Sequence, residues 1–110
     1  MIEIKTEGSG KVLISNEILA VIAGKSAREV EGVAGLGGFG RNKKKGVGVQ
    51  LTENGVRLAV AINVKMGVKL HEVSKAVQSL VKTDVETMTG LEVTEVNVRI
   101  SAVIPERARG

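Results

Sequence analysis

The chain has 110 residues, 43% of them apolar, with one aromatic side chain, no cysteine and a formal charge of +4 from 16 basic and 12 acidic residues. That length suits a single domain over residues 1–110, and a fold of this size hides roughly two thirds of its unfolded surface. Disulfides, thiolate nucleophiles and cysteine-held metals or clusters are excluded, Phe39 alone cannot stack a series of bases, and the basic surplus favours anionic partners.

The opening, Met1-Ile2-Glu3-Ile4-Lys5-Thr6-Glu7, alternates charged and apolar residues and builds no apolar h-region, so no secretory signal is expected. Val12, Leu13 and Ile14 read as a short strand. Ser15 stands where an N-cap belongs, a helix begins at Asn16, and Glu17 falls in its positive first turn. Ile18, Leu19, Ile22, Ala23, Ala27 and Val30 share one side of that helix; Gly24, Arg28 and Glu31 lie opposite, and Gly32 supplies a left-handed stop. A stretch rich in glycine and lysine follows, from Gly32 to Gly46. Asn54-Gly55 then sits between two alternating runs and suits a type I′ turn, which sets Leu51 opposite Leu58, Val49 opposite Val60 and Val47 opposite Ile62. The other face of the second run, Arg57, Ala59, Ala61, Asn63 and Lys65, is expected to stay wet rather than pair with another subunit. Val56 to Met66 is the most apolar stretch, too short and too polar to cross a membrane. After Gly67 the period changes. Leu70, Val73, Val77, Leu80, Val81, Val85 and Met88 follow helical spacing to Gly90, interrupted only by Asp84. Val96, Val98, Ile100, Ala102 and Ile104 alternate with polar residues in a last strand that Pro105 ends. The order β-α-β-β-α-β predicts an α+β two-layer sandwich, ferredoxin-like or KH-like, with two helices on one face of a mostly antiparallel sheet.

Four features are candidates for chemistry. Gly35-Leu36-Gly37-Gly38-Phe39-Gly40 has the spacing of a dinucleotide loop, but it follows a helix, precedes a strand and has no acidic residue about 20 positions on, so a flexible connector is expected. Arg41, Lys43, Lys44 and Lys45 crowd four charges within about one Debye length and form the candidate anion or partner contact, set against a solvated loop. His71, the only histidine, stands alone in the first turn of the second helix and is read as a surface residue, so no triad or histidine cage is expected. Asp84 is either a desolvated carboxyl on an apolar face or a residue that helix drift exposes, the second being the ordinary case. No catalytic, cofactor-binding or metal-binding constellation is read from the sequence.

Gly10, Ile14-Ser15-Asn16-Glu17-Ile18, Ile22-Ala23, Ala27 and Glu29-Val30-Glu31-Gly32-Val33, with Val73, Val77-Gln78, Val81, Val85, Met88-Thr89-Gly90-Leu91, Val93 and Val96-Asn97-Val98, carry a resemblance over nearly the whole chain. The pattern resembles the alkaline shock protein family, the envelope stress response proteins of Gram-positive bacteria. It departs at Met66-Gly67, where relatives often place an aromatic before the glycine, and at Ala102, a common glycine. The matching positions are core and turn residues, so the resemblance bears on fold and family and assigns no site. It implies a cytoplasmic, non-enzymatic adaptor or scaffold in envelope stress response and homeostasis, without cofactor, bound to a membrane-associated protein partner and compatible with a homo-oligomer. The alternative reading is a small nucleic-acid-binding module using the Gly/Lys-rich loop 35–46, where Gly37-Gly38-Phe39-Gly40 also fits a backbone-clamping spacing. Against it, the KH loop joins two helices.

Overall fold

The longest apolar alternation in the sequence becomes the centre of the sheet. A computed structural model describes residues 2–4, 8, 10–38 and 46–105. Its elements are β1 (Ile2–Ile4), β2 (Val12–Ile14), α1 (Asn16–Glu29), β3 (Val33–Leu36), β4 (Val47–Thr52), β5 (Gly55–Lys65), α2 (Leu70–Thr89) and β6 (Val93–Ile104). Along β5, Val56, Leu58, Val60, Ile62 and Val64 are buried under the two helices, while Arg57, Ala59, Ala61, Asn63 and Lys65 take the opposite face.

β3 and β4 lie end to end along one side of β5, both antiparallel to it, with Leu36 opposite Ile62 and Val47 opposite Val60. β6 runs parallel to β5 along its other side. The result is the expected α+β two-layer arrangement, with α1 and α2 on one face of a mostly antiparallel sheet. The short strand Val12–Ile14 does not enter that sheet; it pairs with β1, Ile2 opposite Ile14, in a separate two-stranded sheet that still buries Ile2 in the core.

Four sequence readings are corrected by the structure. The hairpin turn is Glu53-Asn54, not Asn54-Gly55, so Leu51 faces Val56, Val49 faces Leu58 and Val47 faces Val60. Asn54 keeps a negative φ, so no type I′ turn forms. Instead the Thr52 hydroxyl accepts from the Asn54 amide (3.3 Å) and donates to the Gly55 carbonyl (3.0 Å). The slip is two residues in pairing, so every side chain keeps its face. Second, α1 stops at Glu29, where the extended Val30 caps it; Gly32, at φ +100°, serves the turn into β3 instead. Part of the expected connector is therefore strand. Third, Gly24 is buried and Ile18 is half exposed. Because α1 meets both α2 and the sheet, its covered arc is broader than its apolar stripe.

The fourth concerns the two ends of the α2–β6 unit. The buried residues of α2 are Val73, Val77, Val81, Val85 and Thr89. At 3.6 residues per turn an i, i+4 row drifts by about 40° per step, so the covered direction has rotated away from Met88 by the last turn and from Leu70 in the first. Both are exposed, Met88 at 68%. In β6 an extra residue, Ser101, sits between the Ile62–Ile100 and Asn63–Ala102 pairs. This bulge reverses the alternation, so Ala102 and Ile104 do not continue the buried row of Val96, Val98 and Ile100; all three residues after the bulge are exposed.

Candidate functional site

Arg41, Lys43, Lys44 and Lys45 lie outside the described residues, but the stems that present them are defined. The Gly37 amide donates to the Ala61 carbonyl and the Ala61 amide donates to the Gly46 carbonyl, each at 2.8 Å. One residue of β5 thus closes both ends of the segment. Gly46 has φ +57°, and a Cβ there would stand 2.7 Å from the Gly37 carbonyl oxygen. Only glycine allows the stems this close. The dinucleotide-type spacing starts inside β3, at Gly35 and Leu36, so its first residues are sheet and open no helix.

The sheet face away from the helices, expected to be wet, is open at Arg57 and Lys65 but fully closed at Ala61, and its exposed part carries a small polar cluster. The Arg57 Nε lies 3.1 Å from the Glu95 carboxylate, and the Asn97 amide nitrogen donates to the other Glu95 oxygen at 2.8 Å. The Asn97 hydrogen bond, then the Arg57 charge, hold the Glu95 carboxyl below the ordinary carboxylate range. Beside it Gly48, Gln50, Ala59 and Asn97 line a shallow depression of about 230 Å³.

Asp84 settles between the two sequence readings: it is half buried, and the buried Ser26 hydroxyl of α1 donates to its Oδ2 at 2.6 Å. It ties the helices together. His71 is exposed at the start of α2, as read. Among the described residues no three His, Cys, Asp or Glu side chains come together as a metal cage would require.

Sequence reasoning missed a groove of about 710 Å³ between α1 and the outer edge of β4. Asn16, Glu17, Ala20, Val21, Gly24 and Arg28 form one wall, and Leu36, Val47, Gly48 and Val49 the other. Glu17, Ala20, Gly24 and Arg28 stand three, four and four residues apart, a single helical row. The spacing of that row is in the sequence, but only β4 beside it makes its small central members a groove wall.

These features belong to a chain whose relatives can be identified. The sequence profile of the alkaline shock protein 23 family, described as having a cell envelope-related function, matches residues 4–105. The chain belongs to that family. The uncharacterized protein YqhY of Bacillus subtilis (strain 168) is 36% identical over 104 residues, covering 86% of this chain and 77% of that protein. Spy1614 of Streptococcus pyogenes serotype M6 is 32% identical over 106 residues, covering 86% and 88%. Among solved structures, a MamM CTD variant in a manganese form superposes with a TM-score of 0.61 at 18% identity, over 81% of this chain and 87% of that one. A second MamM CTD variant gives a TM-score of 0.63 at 15% identity, over 88% and 99%. At such identity the likeness speaks for the fold alone. Among the described residues of this alkaline shock family member, no helix is long and apolar enough to cross a membrane.

Proposed function

We propose that this chain is a non-enzymatic adaptor of the cell envelope that works from the cytoplasm by binding a membrane-associated protein. The observation that carries the reading is an apolar end of the molecule. Met66 and Ile104, 58% and 42% exposed, come to the same end of the sheet, where the Met66 amide donates to the Ile104 carbonyl at 2.9 Å, and the exposed Leu70 opens α2 four residues on. Exposed apolar patches on soluble domains mark contact surfaces, and the family's envelope-related function supplies the setting. Lys65 and Lys69 flank the patch, with Lys69 near Glu72 at 3.9 Å.

The test is photo-crosslinking from Met66 in cells, followed by recovery from the detergent-solubilised membrane fraction with and without nuclease. One defined membrane protein, resistant to nuclease and lost in Leu70→Asp, is the expected result. Recovery only of nuclease-sensitive ribonucleoproteins refutes the adaptor and revives the nucleic-acid reading, and binding to protein-free anionic vesicles refutes a protein partner.

A further inference from the structure

We infer that the outer edge of β4 and the adjoining flank of α1 form a self-association surface, whose partner is a second copy of this chain paired antiparallel across a two-fold axis. The inference is independent of the envelope partner proposed above. It begins with backbone groups. The Ala61 amide bonds to the Gly46 carbonyl, and in an antiparallel ladder bonded positions alternate, so Gly48, Gln50 and Thr52 also turn toward β5. The amides and carbonyls of Val47, Val49 and Leu51 therefore point outward. Exposed strand edges are usually blunted by charge, proline or a bulge. β4, with the sequence VGVQLT and an unbroken register, has none of these. The opposite edge strand, β6, has them all: Glu95 and Arg99, two register shifts, and Pro105 at its end. Gln78 also covers the Val96 carbonyl of β6 at 3.1 Å.

The flank of α1 fits the same partner. The helix turns back at Val30–Gly32 into β3, and β3 and β4 both run antiparallel to β5, so α1 runs antiparallel to β4. Glu17 consequently lies toward one end of the groove and Arg28 toward the other. The Arg28 Nη1 folds to within 3.7 Å of the place a Gly24 Cβ would occupy. Among the described residues neither Glu17 nor Arg28 has an opposite charge within 4.0 Å. A two-fold through the Val47–Val49 segment sets the helices antiparallel and brings each Arg28 toward the other copy's Glu17. Gly24 is buried against Leu36 and Val47 and lets the helix sit close to β4, while Val21, 67% exposed, lies near the axis where the helices meet. A foreign extended peptide would satisfy the amides once. A second copy satisfies both edges and both charge pairs, and closes the assembly without leaving a new edge.

Sedimentation equilibrium of the full chain tests this, with circular dichroism reporting the fold of each variant. Wild type is expected to be dimeric. Arg28→Glu and Glu17→Arg each place like charges at both contacts and should raise the dissociation constant about tenfold or more, whereas the double reversal should restore it. Val49→Pro removes an outward amide at an edge position that tolerates proline and should give a monomer that the charge swap does not rescue. Circular dichroism separates a folding defect in Val49→Pro from lost strand pairing, and the charge reversals carry the decision. A wild-type chain still monomeric at about 1 mM, the weak end of specific affinity, overturns the inference. So does a dimer indifferent to both single reversals, which would place the contact on another face, and so does an occupant of the groove recovered as a different protein.

Discussion

The Ser26–Asp84 hydrogen bond is the most direct test of how α1 and α2 are fixed, because it runs to a carboxylate and joins two residues 58 apart in sequence, one on each helix. Ser26→Ala removes the donor and leaves a half-buried carboxylate short of one partner. Hydrogen bonds to charged groups contribute about 1.5–3 kcal/mol; since Asp84 retains some access to water, solvent screening reduces that to about 1–2 kcal/mol. Asp84→Ala strands the hydroxyl of Ser26, which is only 3% exposed, and should cost a similar amount. The double variant should then cost little more than either single one, leaving a coupling of about 1–2 kcal/mol. For a chain of this size each kcal/mol moves Tm by about 4 °C, so each single variant should melt about 4–8 °C below wild type. Urea denaturation of the four proteins closes the cycle. A coupling below about 0.5 kcal/mol, the ordinary error of additivity, refutes the claim that this contact orients the helices.

Gly55→Ala should cost about 2–4 kcal/mol in urea unfolding. Gly55 has φ +147°, and a Cβ there would collide with the Glu92 carbonyl oxygen that now accepts the Val56 amide. Leu19→Ala, at a fully buried position against the sheet, should cost about 2–5 kcal/mol through loss of transfer energy plus a cavity. Asn97→Ala should raise the Glu95 titration toward the ordinary carboxylate range, read by NMR across acidic pH, because its hydrogen bond is the leading cause of the depression. A depressed carboxyl contributes stability above its unfolded pKa and loses it as pH falls through the folded one, so wild type and Asn97→Ala should converge in acid.

What the sequence made legible were elements whose local chemistry and long-range packing agree. Ser15 caps α1 through the Ile18 amide at 3.2 Å, and Gly90 ends α2 at φ +75°, both where side-chain rules place them. The apolar row of β5 was also read correctly, because its alternation lasts for eleven residues. The failures share a different cause. β3 was hidden because Val33-Ala34-Gly35-Leu36 is glycine-bearing and short, and its pairing with β5 is purely tertiary. The hairpin slipped because Thr52 offered a side-chain turn that competed with the Asn-Gly signal. The Ser101 bulge has no residue signature of its own. In the candidate site, charge density singled out Arg41 and Lys43 to Lys45, while the groove row was passed over because Ala20 and Gly24 are conspicuous only once β4 stands beside them.

The composition itself narrows how such a chain can recognise a partner. Protein interfaces usually draw their affinity from Trp, Tyr and Arg anchors, yet this sequence has one aromatic residue, Phe39, and its core is built largely of valine. Valine packs a flat, stiff sheet well but presents little anchoring area. Affinity must then come from the backbone, from arginine, or from many small apolar contacts together. The two ends of the molecule divide those means: Met66, Leu70 and Ile104 give exposed apolar side chains, whereas β4 and α1 give outward-turned amides and Arg28. Backbone pairing is indifferent to side-chain identity and would bind any extended segment, so its specificity has to be supplied by the neighbouring charges. Arg28 and Glu17 supply it symmetrically, which favours the chain's own copy over a foreign strand and leaves the apolar end free to engage the envelope partner.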